Sequence, residues 1–92
     1  MKLTKLQRYT AYVIMLEELK DCKRGLCLVW MKLTGEKRWH LGDSHLGNIL
    51  PELWRKAKNK DGGSWWDSKT DTAFFNERAA ALKECIKETE PK

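Results

Sequence analysis

The sequence predicts a mainly α fold, a small single domain over residues 1–92 with two long helices, one short helix and a Trp-bearing loop. Two observations carry this expectation. Apolar residues recur at helical spacing near both ends of the chain, and residues that start or stop helices bracket those stretches. A chain of this size buries somewhat over ~60% of its unfolded surface, so one core is all it can build, and association would strengthen it.

Thr4-Lys5-Leu6-Gln7 forms a capping box, in which the Thr hydroxyl and the Gln side chain each satisfy a free amide at a helix start. Leu6, Tyr9, Val13, Leu16 and Lys20 follow at helical spacing, with Tyr12, Met15, Leu19 and Cys22 as a second row beside them. The two rows make a wide apolar face, and Lys5, Arg8, Glu17, Glu18 and Asp21 lie largely off it. Lys20, Lys23 and Arg24 suit the negative end of the helix dipole and Gly25 is a natural stop, which predicts a helix over 4–23.

Leu26 to Leu33 is a short apolar run that periodicity alone leaves open. Its composition leans towards a short helix packed back on the first, while Val29 and Trp30 keep a strand in play. Thr34 to Gly47 holds three glycines among polar residues and is expected as a loop. Leu50-Pro51-Glu52-Leu53-Trp54 starts a short helix over 50–58, with Pro in its first turn and Glu beside the positive dipole end. The chain then frays through Asn59 to Gly63, and Ser64 to Thr70 carries the Trp65-Trp66 pair in a loop. Asp71 or Thr72 caps a last helix over 72–88 whose core stripe is Phe75, Ala79, Leu82 and Ile86, joined by Phe74, Ala81 and Cys85.

Composition narrows the function classes. With 41% apolar and 34% charged residues, the chain is of globular type, and its longest apolar run, Leu26 to Met31, is far too short to span a bilayer. No export leader is visible, so the odd count of three cysteines is expected as reduced thiols. The net charge of +5 is uneven: residues 1–60 hold 13 Lys/Arg against 6 Asp/Glu, and the remainder holds 5 against 7. A basic front and a mildly acidic tail favour an anionic partner or head-to-tail self-association.

Cys22, Cys27, His40 and His45 satisfy the outer spacing of a zinc finger. The inner pattern does not, because Met31 and Lys37 stand where an aromatic and an aliphatic residue belong. Two glycines also disfavour the helix that would carry the histidines, by roughly 1 kcal/mol each. Gly42-Asp43-Ser44-His45 lacks the strand and helix of a nucleophile elbow, and Gly62-Gly63-Ser64 leads to no Lys-Ser/Thr pair. No cofactor and no catalysis are expected.

The binding features are clearer. Four of the five tryptophans sit against basic or glycine-rich sequence. Trp54 precedes Arg55, Lys56 and Lys58, a cluster in which cations could neutralise phosphate while the indole offers a stacking face. Lys37, Arg38 and Trp39 form a second edge, Trp65 and Trp66 a third, and Arg78 could contribute from the last helix. Trp30 belongs to an apolar run and is expected in the core.

Leu6-Gln7-Arg8-Tyr9, Leu16-Glu17-Glu18, Gly25-Leu26-Cys27, Leu50-Pro51-Glu52-Leu53-Trp54, Trp65-Trp66 and Ala81-Leu82-Lys83-Glu84-Cys85-Ile86 together resemble a group of small uncharacterised proteins from phages of Bacteroides-type gut bacteria and related metagenomes. The resemblance covers most of the chain outside Thr34 to Gly47, in texture rather than in a catalytic motif. It implies a viral accessory protein in the cytoplasm of an infected bacterial host and carries over no active-site residue. Small phage accessory proteins commonly act by binding. The resulting expectation is a non-enzymatic, anti-defence binder of a nucleotide-type anion that forms homo-oligomers and has no membrane attachment. The rivals are a nucleic-acid-binding protein and an inhibitor docking on a host defence protein. Protein purified without chelator should hold well under one equivalent of zinc; near-stoichiometric metal, lost on Cys27→Ser with unfolding, would reverse the metal expectation.

Overall fold

Thr4 N–H donates to Gln7 Oε1 at 2.8 Å and Gln7 N–H donates to Thr4 Oγ1 at 3.1 Å, so the capping box forms as its residue types require. The helix that it opens, α1, runs Lys5–Cys22. The computed structural model describes residues 2–22, 26–35, 49–57 and 72–91, without the side chains of residues 22, 27, 28 and 72–74. Among them are three further helices: α2, Leu26–Thr34; α3, Pro51–Ala57; and α4, Thr72–Thr89. No strand occurs among the described residues. The fold is mainly α, with both long helices where periodicity puts them.

The open question at residues 26–33 resolves as helix. Leu26, Val29 and Trp30 are buried together and Leu33 packs beside them. This is helical spacing, whereas a strand would send adjacent Val29 and Trp30 to opposite faces. Thr34 Oγ1 bonds back to Trp30 O at 2.8 Å. Gly35 then takes φ 75° and donates its N–H to Met31 O at 2.8 Å, a left-handed cap that glycine adopts at no steric cost.

Helix α1 is the hub. It packs most extensively on α4 and next on α2, while α3 packs on α4. The core joins Tyr12, Met15 and Leu19 of α1 to Leu26, Val29 and Trp30 of α2, Leu50, Leu53 and Ala57 at α3, and Ala81, Leu82 and Cys85 of α4. Lys32 Nζ lies 2.7 Å from Glu18 Oε2 and pins α2 across α1 at the rim.

Three expectations are corrected in detail. Of the two rows on α1, the one through Tyr12, Met15 and Leu19 is the core row, while Leu6 of the other is 59% exposed. Arg8, expected off the apolar face, is turned inward to a partner on α3. On α4 the fully buried line is Arg78, Leu82, Cys85 and Thr89, while Phe75, Ala79 and Ile86 are half-buried beside it. The line can end on a threonine because its hydroxyl donates to Cys85 O at 2.7 Å.

The expected loop beyond Gly35, the frayed segment after Ala57 and the Trp-bearing loop lie outside the described residues. Among the described residues no helix is long and apolar enough to cross a membrane.

Leu82→Ala removes a fully buried side chain at the α1–α4 seam and should cost ~2–5 kcal/mol in denaturant unfolding. Thr4→Ala removes half of the capping box and should cost ~1 kcal/mol.

Candidate functional site

At seven residues α3 is too short to persist on its own, so tertiary contacts must hold whatever it displays. The contact that does so is polar. Glu52, 8% exposed in the first turn of α3, receives Arg8 Nε at 3.0 Å on Oε1 and 3.3 Å on Oε2. Tyr12 donates its hydroxyl to Glu52 Oε1 at 2.9 Å, and the same hydroxyl oxygen accepts Leu53 N–H at 3.3 Å. Arg8 Nη1 donates to Leu3 O at 2.8 Å. Each group that burial strips of water is thereby given a partner.

The electrostatics follow from the geometry. Burial works to raise the Glu52 carboxyl, but the hydrogen bonds from Arg8 and Tyr12 outweigh it and hold the group below its ordinary 4.5. Burial, reinforced by the neighbouring Cys85 and Glu52, pushes the Tyr12 hydroxyl up. The Cys85 thiol, fully buried in α4, is pushed up to about 12, chiefly by burial. A thiol so protonated and enclosed is a packing group and not a nucleophile.

With Glu52, Leu53 and Ala57 turned inward, the helical repeat leaves Pro51, Trp54 and Arg55 on the outer arc of α3. Trp54 packs partly on the core and is half-buried, and its backbone N–H donates to Leu50 O at 2.9 Å. Arg55 and Lys56 both meet Glu88 of α4, and the two pairs differ. Arg55 Nη2 stands 3.6 Å from Glu88 Oε1 with its side chain 60% exposed. Lys56 Nζ hydrogen-bonds Glu88 Oε2 directly and is 22% exposed. Burial tends to lower the Lys56 ammonium, yet the Glu88 hydrogen bond prevails and raises it. Exposed ion pairs contribute ~0–1 kcal/mol, so Arg55 can exchange its carboxylate for another anion, whereas Lys56 is committed to α4. Beside them, Lys56, Glu84, Lys87 and Glu88 line a shallow open depression whose balanced charges select no anion.

Of the other expected site residues, Arg78 lies in the interior at 0% exposure and does not present a surface charge. Trp30 is in the core, as expected. Lys37, Arg38, Trp39, Lys58, Trp65 and Trp66 lie outside the described residues, as do His40, His45 and the side chains of Cys22 and Cys27. The described residues hold no group of three or more metal-ligating side chains. Three participants escape any local reading of the sequence. Glu88, one of several acidic residues on α4, acquires meaning only from its position opposite Arg55 and Lys56. Arg8 and Tyr12 lie 44 and 40 residues from Glu52, beyond the reach of helical periodicity.

No protein-family model, curated protein or solved structure matches the chain.

Because the folded-state pKa of Glu52 is depressed, its contribution to stability is present above the ordinary value of 4.5 and is lost as pH falls through the folded value. Glu52→Gln should therefore destabilise the protein most at neutral pH, and the gap to the parent should narrow in acid. Urea unfolding of both proteins across pH checks this, and a gap that widened in acid would contradict it.

Proposed function

We propose that this chain is a non-enzymatic binding protein that captures an anionic partner of nucleotide type on the outer arc of α3. The observation that carries the reading is the pairing of half-buried Trp54 with exposed Arg55 on a short helix clamped from beneath. An indole fixed on one side by the core keeps its remaining surface available for stacking, and the adjacent guanidinium supplies a planar donor for phosphate. Lys37, Arg38, Trp39, Lys58, Trp65 and Trp66 remain candidate contributors to the same site.

The charge arrangement favours a ligand with few phosphates over a long duplex. Glu88 offsets part of the α3 charge, and duplex binding draws its affinity from many phosphate contacts at once. The phage resemblance gives the reading a setting, namely sequestration of a nucleotide immune signal in the cytoplasm of an infected bacterium.

A thermal-shift screen against cyclic dinucleotides, single nucleotides, DNA and RNA tests the proposal, with Trp emission as a second readout. A small nucleotide should raise the melting temperature and change Trp emission with only mild salt dependence, and Arg55→Ala should weaken it about tenfold, the loss of one charge-assisted contact. Steep salt dependence confined to DNA or RNA would replace the reading with nucleic-acid binding. No shift with any of these ligands would leave docking on a host protein as the better account.

A further inference from the structure

Helix α3 is attached to the other helices by two kinds of contact. Its apolar grip is Leu53 and Ala57, with Leu50 just before it, and the helix packs on α4. To α1 it is tied through polar atoms: Glu52 holds Arg8 and Tyr12, and Leu53 N–H donates to the Tyr12 hydroxyl. Helix α1 meets α4 and α2 directly, and more extensively than α3 meets α4. The element with the fewest packing contacts opens first, and a seven-residue helix does not persist once detached.

We infer that Glu52 latches α3 to α1, so that in acid α3 comes away as a unit while α1, α2 and α4 stay packed. The latch is one carboxylate, which faces Arg8 and Tyr12 on α1 and Cys85 on α4. Arg8 brings a fixed positive charge. Burial pushes the Tyr12 hydroxyl and the Cys85 thiol up, so both stay neutral in acid and Glu52 is the group whose charge changes. Docking holds its carboxyl below the ordinary 4.5, and protons therefore favour release as pH falls through the docked value. Release strands no charge among the remaining helices. The Arg8 side chain is 20% exposed and keeps its bond to Leu3 O at 2.8 Å. The core that joins those helices, with Met15, Leu19, Leu26, Val29, Trp30 and Leu82, draws on side chains that do not titrate. If α3 carries the ligand site proposed above, its release withdraws Trp54 and Arg55 from the ligand; the latch itself does not depend on that reading.

Site-resolved hydrogen exchange of the full chain from roughly pH 3 to 7, with each rate divided by its intrinsic value, tests the latch. In acid the amides of Leu53 to Ala57 should lose protection about tenfold or more beyond any loss at Leu19 or Leu82. Glu52→Gln, which imitates the protonated acid, should show this loss already at neutral pH and a much smaller acid response. Tyr12→Phe removes one donor but leaves Arg8, so it should lower α3 protection at neutral pH and keep the acid response. Protection lost equally across α1, α3 and α4, an α3 whose protection ignores pH, or a Glu52→Gln protein with the parent's full acid response would each overturn the inference.

Discussion

The carboxylate of Glu52 ties the first turn of α3 to two successive turns of α1. It receives the guanidinium of Arg8 and the hydroxyl of Tyr12, and that hydroxyl in turn holds the amide of Leu53. A buried ion pair of this sort contributes little over a well-packed apolar pair, yet removing one partner strands the other and costs ~3–5 kcal/mol. The value of the arrangement is therefore directional. It permits one rotation of α3 about its axis, and from that rotation it follows that Leu53 and Ala57 enter the core while Trp54 and Arg55 face outward.

Helix α1 divides its work between two sides. The row through Tyr12, Met15 and Leu19 builds the core, and its two hydrogen-bonding members, Arg8 and Tyr12, reach α3 from the same side. The neighbouring row is mixed: Leu16 packs against the core, Tyr9 and Val13 are half-buried, and Leu6 is 59% exposed.

Much of the fold was legible because its signals are local. The capping box, the apolar periodicities of both long helices and Pro51 at the start of α3 each act within one or two turns, and each appears in place. The rotations of the helices were less legible. Arg8 looked like a solvent-side residue because a wheel records polarity and not the presence of an acid 44 residues away. Arg78 looked like a surface cation for the same reason, and the structure places it inside. In the candidate site, the basic run after Trp54 is plain in the sequence, but the half-burial of its indole follows from the rotation of α3, which sends Leu50 and Leu53 to the core and leaves Arg55 exposed. Glu88 could not be read at all, because its role depends on how α3 crosses α4.

That placement of Glu88 makes it a tethered counter-ion. A cation accompanied only by mobile chloride accepts almost any anion that arrives, whereas Arg55 has the Glu88 carboxylate at 3.6 Å, tethered to α4. An incoming group must outcompete a neighbour that never diffuses away, so weakly charged anions abundant in a cell gain little hold. A phosphate, with higher charge density and oxygens spaced to meet the guanidinium fork, can displace it. On the proposed reading the helix would act as a threshold filter, in which selectivity against common anions arises from an acid that touches no ligand.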